Sequence, residues 1–260
     1  MADLEIIFLG TGTSQGVPVI GCDCTTCKSS DPRDNRLRSA IFVRTPECSF
    51  SIDTPPEFRI QCLRENIGHI DAVVYTHSHT DHILGFDDLR RFCEMSGEKM
   101  PIYAAPDTMA DLRRVFQYAF ETEVIWRNYI RPDPHVIDGA FSLGETRLVP
   151  LRLPHGKMIL NGYLMMRNNE KLVAYMTDCH SVPDEVVSQV AGVKVLVIDA
   201  LRHKEHPTHL SVQQAVDISK LIKPESTYFI HMCHDLLHEK TQASLPPGVF
   251  LSYDGLRITV

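Results

Sequence analysis

Thr76-His77-Ser78-His79-Thr80-Asp81-His82-Ile83-Leu84-Gly85 is the stretch from which the rest of the chain is best read. Its four metal-capable side chains, His77, His79, Asp81 and His82, fall within six positions. The run before it, Ile70-Asp71-Ala72-Val73-Val74-Tyr75, reads as a buried strand. The cluster therefore stands where a rigid element stops and a loop turns side chains inward. A lone histidine on an apolar face is usually a satisfied core residue. Four costly polar groups packed together without a cation would instead repel one another or lack partners. Three imidazoles and a carboxylate can serve two neighbouring metals, which points to metal-assisted chemistry, most often hydrolysis.

Composition limits what surrounds this stretch. The chain has 260 residues, enough for one large α/β domain over residues 1–260 with a sizeable core. No run of about 18 apolar residues appears, so no membrane span is expected. The opening Met1-Ala2-Asp3-Leu4-Glu5 carries acids and runs into a strand, unlike a signal peptide. A cytoplasmic protein is expected. The formal charge of −7 gives no overall field for a long polyanion such as nucleic acid. The eight cysteines read as reduced thiols and metal ligands rather than disulfides.

No linker or repeat divides the chain. Strands are expected near 4–9, 39–45, 48–53, 70–75, 146–153, 161–167, 171–177, 194–199, 226–230, 249–253 and 256–260. Helices are expected near 56–66, 85–96, 106–120, 183–190, 211–222 and 235–244. Ser211 reads as a helix N-cap, and Pro224 ends that helix. Strands outnumber helices and the two are mixed, as in sheets packed together with helices outside.

The other ligand candidates stand at strand ends. Leu148–Leu153 runs into Pro154-His155-Gly156, Leu172–Met176 into Thr177-Asp178, and Thr227–Ile230 into His231. A single instance would mean little. Repeated after the first cluster, it describes one edge of a sheet sandwich lined with ligands.

On these motifs the chain resembles the metallo-β-lactamase superfamily. That resemblance implies a four-layer αββα sandwich with a two-metal site at one edge. It implies that His77, His79 and His155 hold one metal, that Asp81, His82 and His231 hold the other, and that Asp178 bridges them. Asp81 belongs to the catalytic set as well as to the ligands. Imidazoles and carboxylates suit Zn²⁺, Mn²⁺ or Fe²⁺. A bridging carboxylate fits metals about 3.5–4 Å apart.

Gly21-Cys22-Asp23-Cys24-Thr25-Thr26-Cys27 places three thiols within six residues, inside a polar loop spanning about 10–36. Three such thiols suggest a structural zinc, which needs a fourth ligand. His234 is the first choice, and Cys233 and Cys48 compete with it. The glycine run Gly10-Thr11-Gly12-Thr13-Ser14-Gln15-Gly16 reads as a tight turn after a strand and is not the dinucleotide fingerprint. Together with the three cysteines, with Asp199-Ala200-Leu201-Arg202, His206-Pro207-Thr208-His209-Leu210-Ser211 and His231-Met232-Cys233-His234, it resembles the PhnP-like branch of the superfamily. These are metal-dependent phosphodiesterases, the phosphoribosyl 1,2-cyclic phosphate phosphodiesterase family. The resemblance implies that His234 completes the structural zinc and that His209 reaches into the active site. It also implies two catalytic divalent metals, manganese or zinc, and a homodimer.

His209 would then give a proton or hydrogen bond to the departing oxygen of a small phosphodiester. Two cations would lower the pKa of a water between them and supply the attacking hydroxide. Asp53 is expected to orient an imidazole, with Asp199 in a similar part. Arg202, His180 and Ser14 are candidate phosphate contacts, whereas His180, His203 and His206 otherwise read as surface residues. The alternatives are a tRNA 3′-processing endonuclease, a non-catalytic metal-binding protein in cofactor synthesis, and a lactam or thioester hydrolase. No substrate-gripping arm or basic face supports the first. The complete ligand set with His209 weighs against the second. The leaving-group histidine would have no obvious purpose in the third.

Overall fold

The computed structural model describes residues 4–121 and 129–260; the acidic opening Met1–Asp3 lies outside them. The chain lays down β1 (Glu5–Gly10), β2 (Ala40–Arg44), β3 (Ser49–Ile52), β4 (Ala72–Val74), β5 (Met100–Ala104) and β6 (Pro132–Val136) as one sheet. It then builds a second sheet from β7 (Phe141–Leu143), β8 (Thr146–His155), β9 (Met158–Arg167), β10 (Glu170–Met176), β11 (Val195–Asp199), β12 (Ser226–Ile230) and β13 (Val249–Leu251). The last strand, β14 (Arg257–Thr259), returns to pair with β1. Each sheet thus has seven strands among the described residues.

Alternation along the strands decides what each face buries. Ile6 and Phe8 of β1, with Ile41, Val43, Phe50 and Ile52, turn inward against Tyr163, Met165, Val173, Tyr175 and Val197 of the other sheet. Ile7 and Leu9 face outward, with Val73 and Tyr75, beneath the helices α1 (Phe58–Arg64), α2 (Thr80–Ile83), α3 (Arg90–Ser96), α4 (Pro106–Val115) and α5 (Gln117–Phe120). On the far side α6 (Asp184–Val190) and α7 (Val212–Ile222) cover Leu196, Ile198 and Phe229, and α8 (His238–Gln242) lies beside β13. Three apolar layers separate four layers of structure, an αββα sandwich. Ser211 caps α7 and shares a reciprocal pair of hydrogen bonds with Gln214.

Strand direction positions the site. β3 to β6 run parallel to one another, as do β10 to β13. β8 and β10 are both antiparallel to β9, so they too point the same way. Residues that follow these strands collect at carboxyl ends, where crevices form in such sheets.

Three strands departed from expectation. β5 and β6 carry Pro101, Pro132 and Pro134. Proline cannot donate to a ladder, which hides strand character in sequence, and β6 tolerates two because it is an edge. β7 has three residues, too few for a periodic signal. The helix expected over 106–120 breaks into α4 and α5 at Phe116, and the one expected over 235–244 shortens to α8. Asp81 and His82 sit on the single turn of α2 rather than in a loop.

Candidate active site

β4 stops at Val74, and Thr76 begins the turn that carries the first ligands. The Asp53 carboxylate accepts from Thr76 N at 2.9 Å, Thr76 Oγ1 at 2.8 Å and His82 Nδ1 at 2.7 Å. His77 Nδ1 lies 3.0 Å from Thr76 Oγ1, so Asp53 reaches both imidazoles, one directly and one through a hydroxyl. Ser78 Oγ donates to Asp111 at 2.6 Å and pins the turn to α4. His155, at the end of β8, donates through Nδ1 to the carbonyl of Thr208 at 2.9 Å. In each case one ring nitrogen is held by the protein, as metal-binding imidazoles require.

Asp53, Asp178 and His231 all adopt left-handed backbone angles, with φ of 67°, 58° and 61°. Non-glycine residues rarely do so, and such conformations concentrate at functional sites. All three follow carboxyl ends of strands. The left-handed turn ends each strand and swings the side chain across the sheet edge.

These residues converge. The ligand atoms of His77, His79 and His155 lie within 4.8 Å of one another, and so do those of Asp81, His82, Asp178 and His231. His79 and His155 bring ring nitrogens to 3.3 Å. Asp178 joins the two groups: it lies 3.1 Å from His82 Nε2, 3.0 Å from His231 Nδ1 and 3.9 Å from His77 Nε2. His77 Nε2 is buried and has no hydrogen-bond partner. Burial disfavours a charged ring at His77, His155 and His231, lowering all three, His231 to about 3. Neutral imidazole is the form that ligates metal. Burial also opposes charge on His82, but Asp178, Asp81 and Asp53 around it raise it well above an ordinary imidazole. An orphaned imidazole nitrogen beside buried carboxylates that call for positive charge fits a pair of divalent cations.

A cavity of about 450 Å³ opens over these candidate ligands. Ser14, Gly156, Lys157, Met158, Thr208 and His209 form its rim, and His79, Asp81, His155, Asp178 and His231 its floor. His209 donates through Nδ1 to Asp199 Oδ2 at 2.7 Å, and its ring stacks on His231 at 4.8 Å. Burial opposes charge on His209, but Asp199, joined by Asp178 and Asp81, more than offsets this and raises its pKa. Of the three candidate phosphate contacts, Ser14 lines the cavity. Arg202 instead donates to the carbonyls of Lys204 and Glu205, and His180 Nδ1 accepts from Gly156 N at 3.2 Å. Both brace loops rather than face the cavity. Lys157 and Met158 lie outside every motif of the sequence, and Thr208 falls within one without a role of its own.

A second cluster lies beside the first. Cys22, Cys24 and Cys27 bring their sulfurs to 3.2, 3.5 and 3.5 Å from His234 Nδ1. Amides of Val19 and Cys27 donate to Cys27 Sγ and Cys24 Sγ, and the second of these contacts helps lower Cys24 to about 7. Four donors around one point fit a tetrahedral zinc. Cys233 Sγ instead accepts from Asp235 N, and Cys48 lies beside the start of β3. Buried Arg36 fastens the loop, donating to the carbonyls of Cys233 at 2.9 Å and Leu236 at 2.5 Å. Gly12 is needed for close approach rather than for a turn. A Cβ there would sit 2.6 Å from the Arg36 carbonyl, while the flanking Thr11 and Thr13 pair with Met232. The loop thus reaches the segment that carries both His231 and His234.

The model of the beta-lactamase superfamily domain matches residues 47–232. The crystal structure of a new diphosphatase from the PhnP family superposes with a TM-score of 0.91 and 41% identity, over 99% of this chain and 97% of that one.

The chain belongs to the metallo-β-lactamase superfamily, in its PhnP-like branch.

It is a metal-dependent hydrolase of that superfamily. The octanoyltransferase of Porphyromonas gingivalis is 33% identical over 267 residues, covering 99% of this chain. The hydrolase spans about half, 52%, of that relative's length. Coenzyme PQQ synthesis protein B of Methylorubrum populi is 28% identical over 224 residues, covering 75% of this chain and 72% of that protein. No helix among the described residues is long and apolar enough to cross a membrane.

Proposed function

We propose that this hydrolase cleaves a small phosphodiester, with phosphoribosyl 1,2-cyclic phosphate as the first candidate. The carrying observation is His209: its ring lines the cavity with Nδ1 committed to buried Asp199. A histidine held through Nδ1 presents Nε2 to bound substrate. That is the position for giving a proton to a leaving alkoxide. The diphosphatase name of the 41% identical neighbour supports cleavage at phosphorus.

His77, His79 and His155 would hold one divalent cation, Asp81, His82 and His231 a second, with Asp178 shared. Zinc and manganese both suit this donor set. When bound, such a pair supplies hydroxide at neutral pH and neutralises a phosphodiester oxygen. Asp53 keeps His82 and, through Thr76, His77 in place. Asp199 keeps His209 in one tautomer and favours its protonated form. Cys22, Cys24, Cys27 and His234 would hold a structural zinc, which makes the loop part of the fold rather than of the chemistry. Reduced thiols fit the cytoplasm.

An acyl-transfer reading gains little from the cavity. Among the described residues its lining includes no cysteine, and no histidine hydrogen-bonds Ser14. The transferase name belongs to a protein about twice as long. The test is turnover of bis-p-nitrophenyl phosphate and a ribose 1,2-cyclic phosphate with added Mn²⁺, beside a precursor tRNA and an acyl thioester. Chelator-sensitive cleavage of the first two supports the proposal. Cleavage of only the tRNA or the thioester refutes it.

A further inference from the structure

Lys157 is the one lysine or arginine that lines the cavity among the described residues. Its backbone is held by the hairpin it turns. β8 and β9 pair to their ends, His155 opposite Met158, so Gly156 and Lys157 form a two-residue turn. Gly156 takes a φ of +59°, as such hairpin turns demand. Gly156 N donates to His180 Nδ1, and His155 Nδ1 donates to the Thr208 carbonyl on the opposite rim. The turn is therefore braced on both sides, two residues beyond a ligand of the floor.

The side chain is not similarly committed. Lys157 is exposed, and among the described residues no carboxylate lies within ion-pair distance of its ammonium. Elsewhere in this acidic chain, cations near acids pair with them: Lys28 with Asp23, Lys194 with Glu170, Lys220 with Asp217. The neighbouring cations are spent as well. Arg38 pairs with Glu57, and Arg202 serves two carbonyls. An uncommitted ammonium on a braced turn, at the mouth of a site read as holding one phosphate, has a natural ligand in another anion. The carboxylates on the floor, Asp81 and Asp178, are buried and lie beyond ion-pair distance of it.

We infer that Lys157 is a specificity-determining residue, selecting phosphodiesters that carry a second phosphate beside the scissile one. This rests on the phosphodiesterase reading, whose first candidate already carries such a phosphate, and assigns the residue that reads it. The second phosphate has two sources, a phosphorylated sugar or a diphosphate link, and both would present a compact anion to the ammonium.

Four esters separate them: ribose 1,2-cyclic phosphate with and without a 5-phosphate, and the p-nitrophenyl ester of thymidine 5′-phosphate with its diphosphate homologue. The metal-loaded wild type should prefer the doubly phosphorylated member of at least one pair by about tenfold in kcat/KM. Lys157→Ala should bring that ratio to near one, mainly through KM, and Lys157→Arg should restore most of it. The pair that responds identifies the source. An unchanged ratio in Lys157→Ala overturns the inference. Titration calorimetry with ribose 1-phosphate and ribose 1,5-bisphosphate provides a readout independent of turnover. The wild type should bind the bisphosphate more tightly, and Lys157→Ala should bind both alike. If the wild type cleaves none of the esters, the diesterase reading fails, and calorimetry alone decides whether Lys157 holds a second phosphate.

Discussion

His209 Nδ1 and Asp199 Oδ2 lie 2.7 Å apart, the carboxylate fully buried and the ring at the lip of the cavity. The aspartate cannot reach substrate. In the proposed mechanism it acts by fixing the tautomer and favouring the protonated ring. Asp199→Asn should therefore lower kcat by about 10²–10³-fold on esters with poor leaving groups, with KM and metal content little changed. Esters of p-nitrophenol need less help with the departing oxygen and should lose much less. An equal loss on both would mean that the pair does not serve the leaving group.

Asp53 is the orienting group that touches most of the site, meeting Thr76 twice and His82 once. Asp53→Ala frees both imidazoles to turn. Metal affinity should fall by about 10–100-fold. Competition against a chromophoric chelator measures this directly, and Asp111→Ala, which loosens Ser78 and an exposed pair with Arg114 but no imidazole, supplies the comparison.

The cysteine loop should behave differently. Cys24→Ser removes one of the four donors, three sulfurs and the His234 ring, that share this point. Structural zinc contributes folding energy, so the variant should lose about one zinc per chain and melt well below the parent. A variant that keeps all its zinc and its melting temperature would remove Cys24 from the site.

Far from both clusters, Arg167 at the end of β9 reaches across to Glu47, in the turn between β2 and β3, with contacts at 2.5 and 3.3 Å. Its hydrogen bonds hold the Glu47 carboxyl down at about 2, below the ordinary 4.5. A depressed folded pKa stabilises above the unfolded value and is lost as pH falls through the folded one. Glu47 is exposed and solvent screens the pair, so Glu47→Gln should cost only about 1 kcal/mol at pH 5–7. The gap to the parent should narrow as pH drops from about 4.5 toward 2. Urea midpoints at several pH values measure it.

The fold was legible where burial leaves a period. β1, β2, β10 to β12 and α7 are apolar runs with clear ends. β5 and β6 were not, because proline breaks the strand signal while a neighbouring strand or an edge still accommodates it. The floor of the site was legible because costly side chains stood at strand ends. Its rim was not. Thr208 contributes a backbone carbonyl, which any residue supplies, and Lys157 is a surface lysine until the hairpin is seen to end over the cavity. Arg202 illustrates the converse: it looked like a phosphate contact, yet it holds the carbonyls of its own loop.

The central claim is a catalytic metal pair beside one structural zinc. Elemental analysis of the purified protein, joined to diesterase turnover as Zn²⁺ or Mn²⁺ is titrated into chelated enzyme, tests it most directly. The account predicts about three metals per chain in the active form, with one resisting mild chelation and turnover returning as the other two are restored. Full turnover with a single metal per chain, or none at any loading, would contradict it.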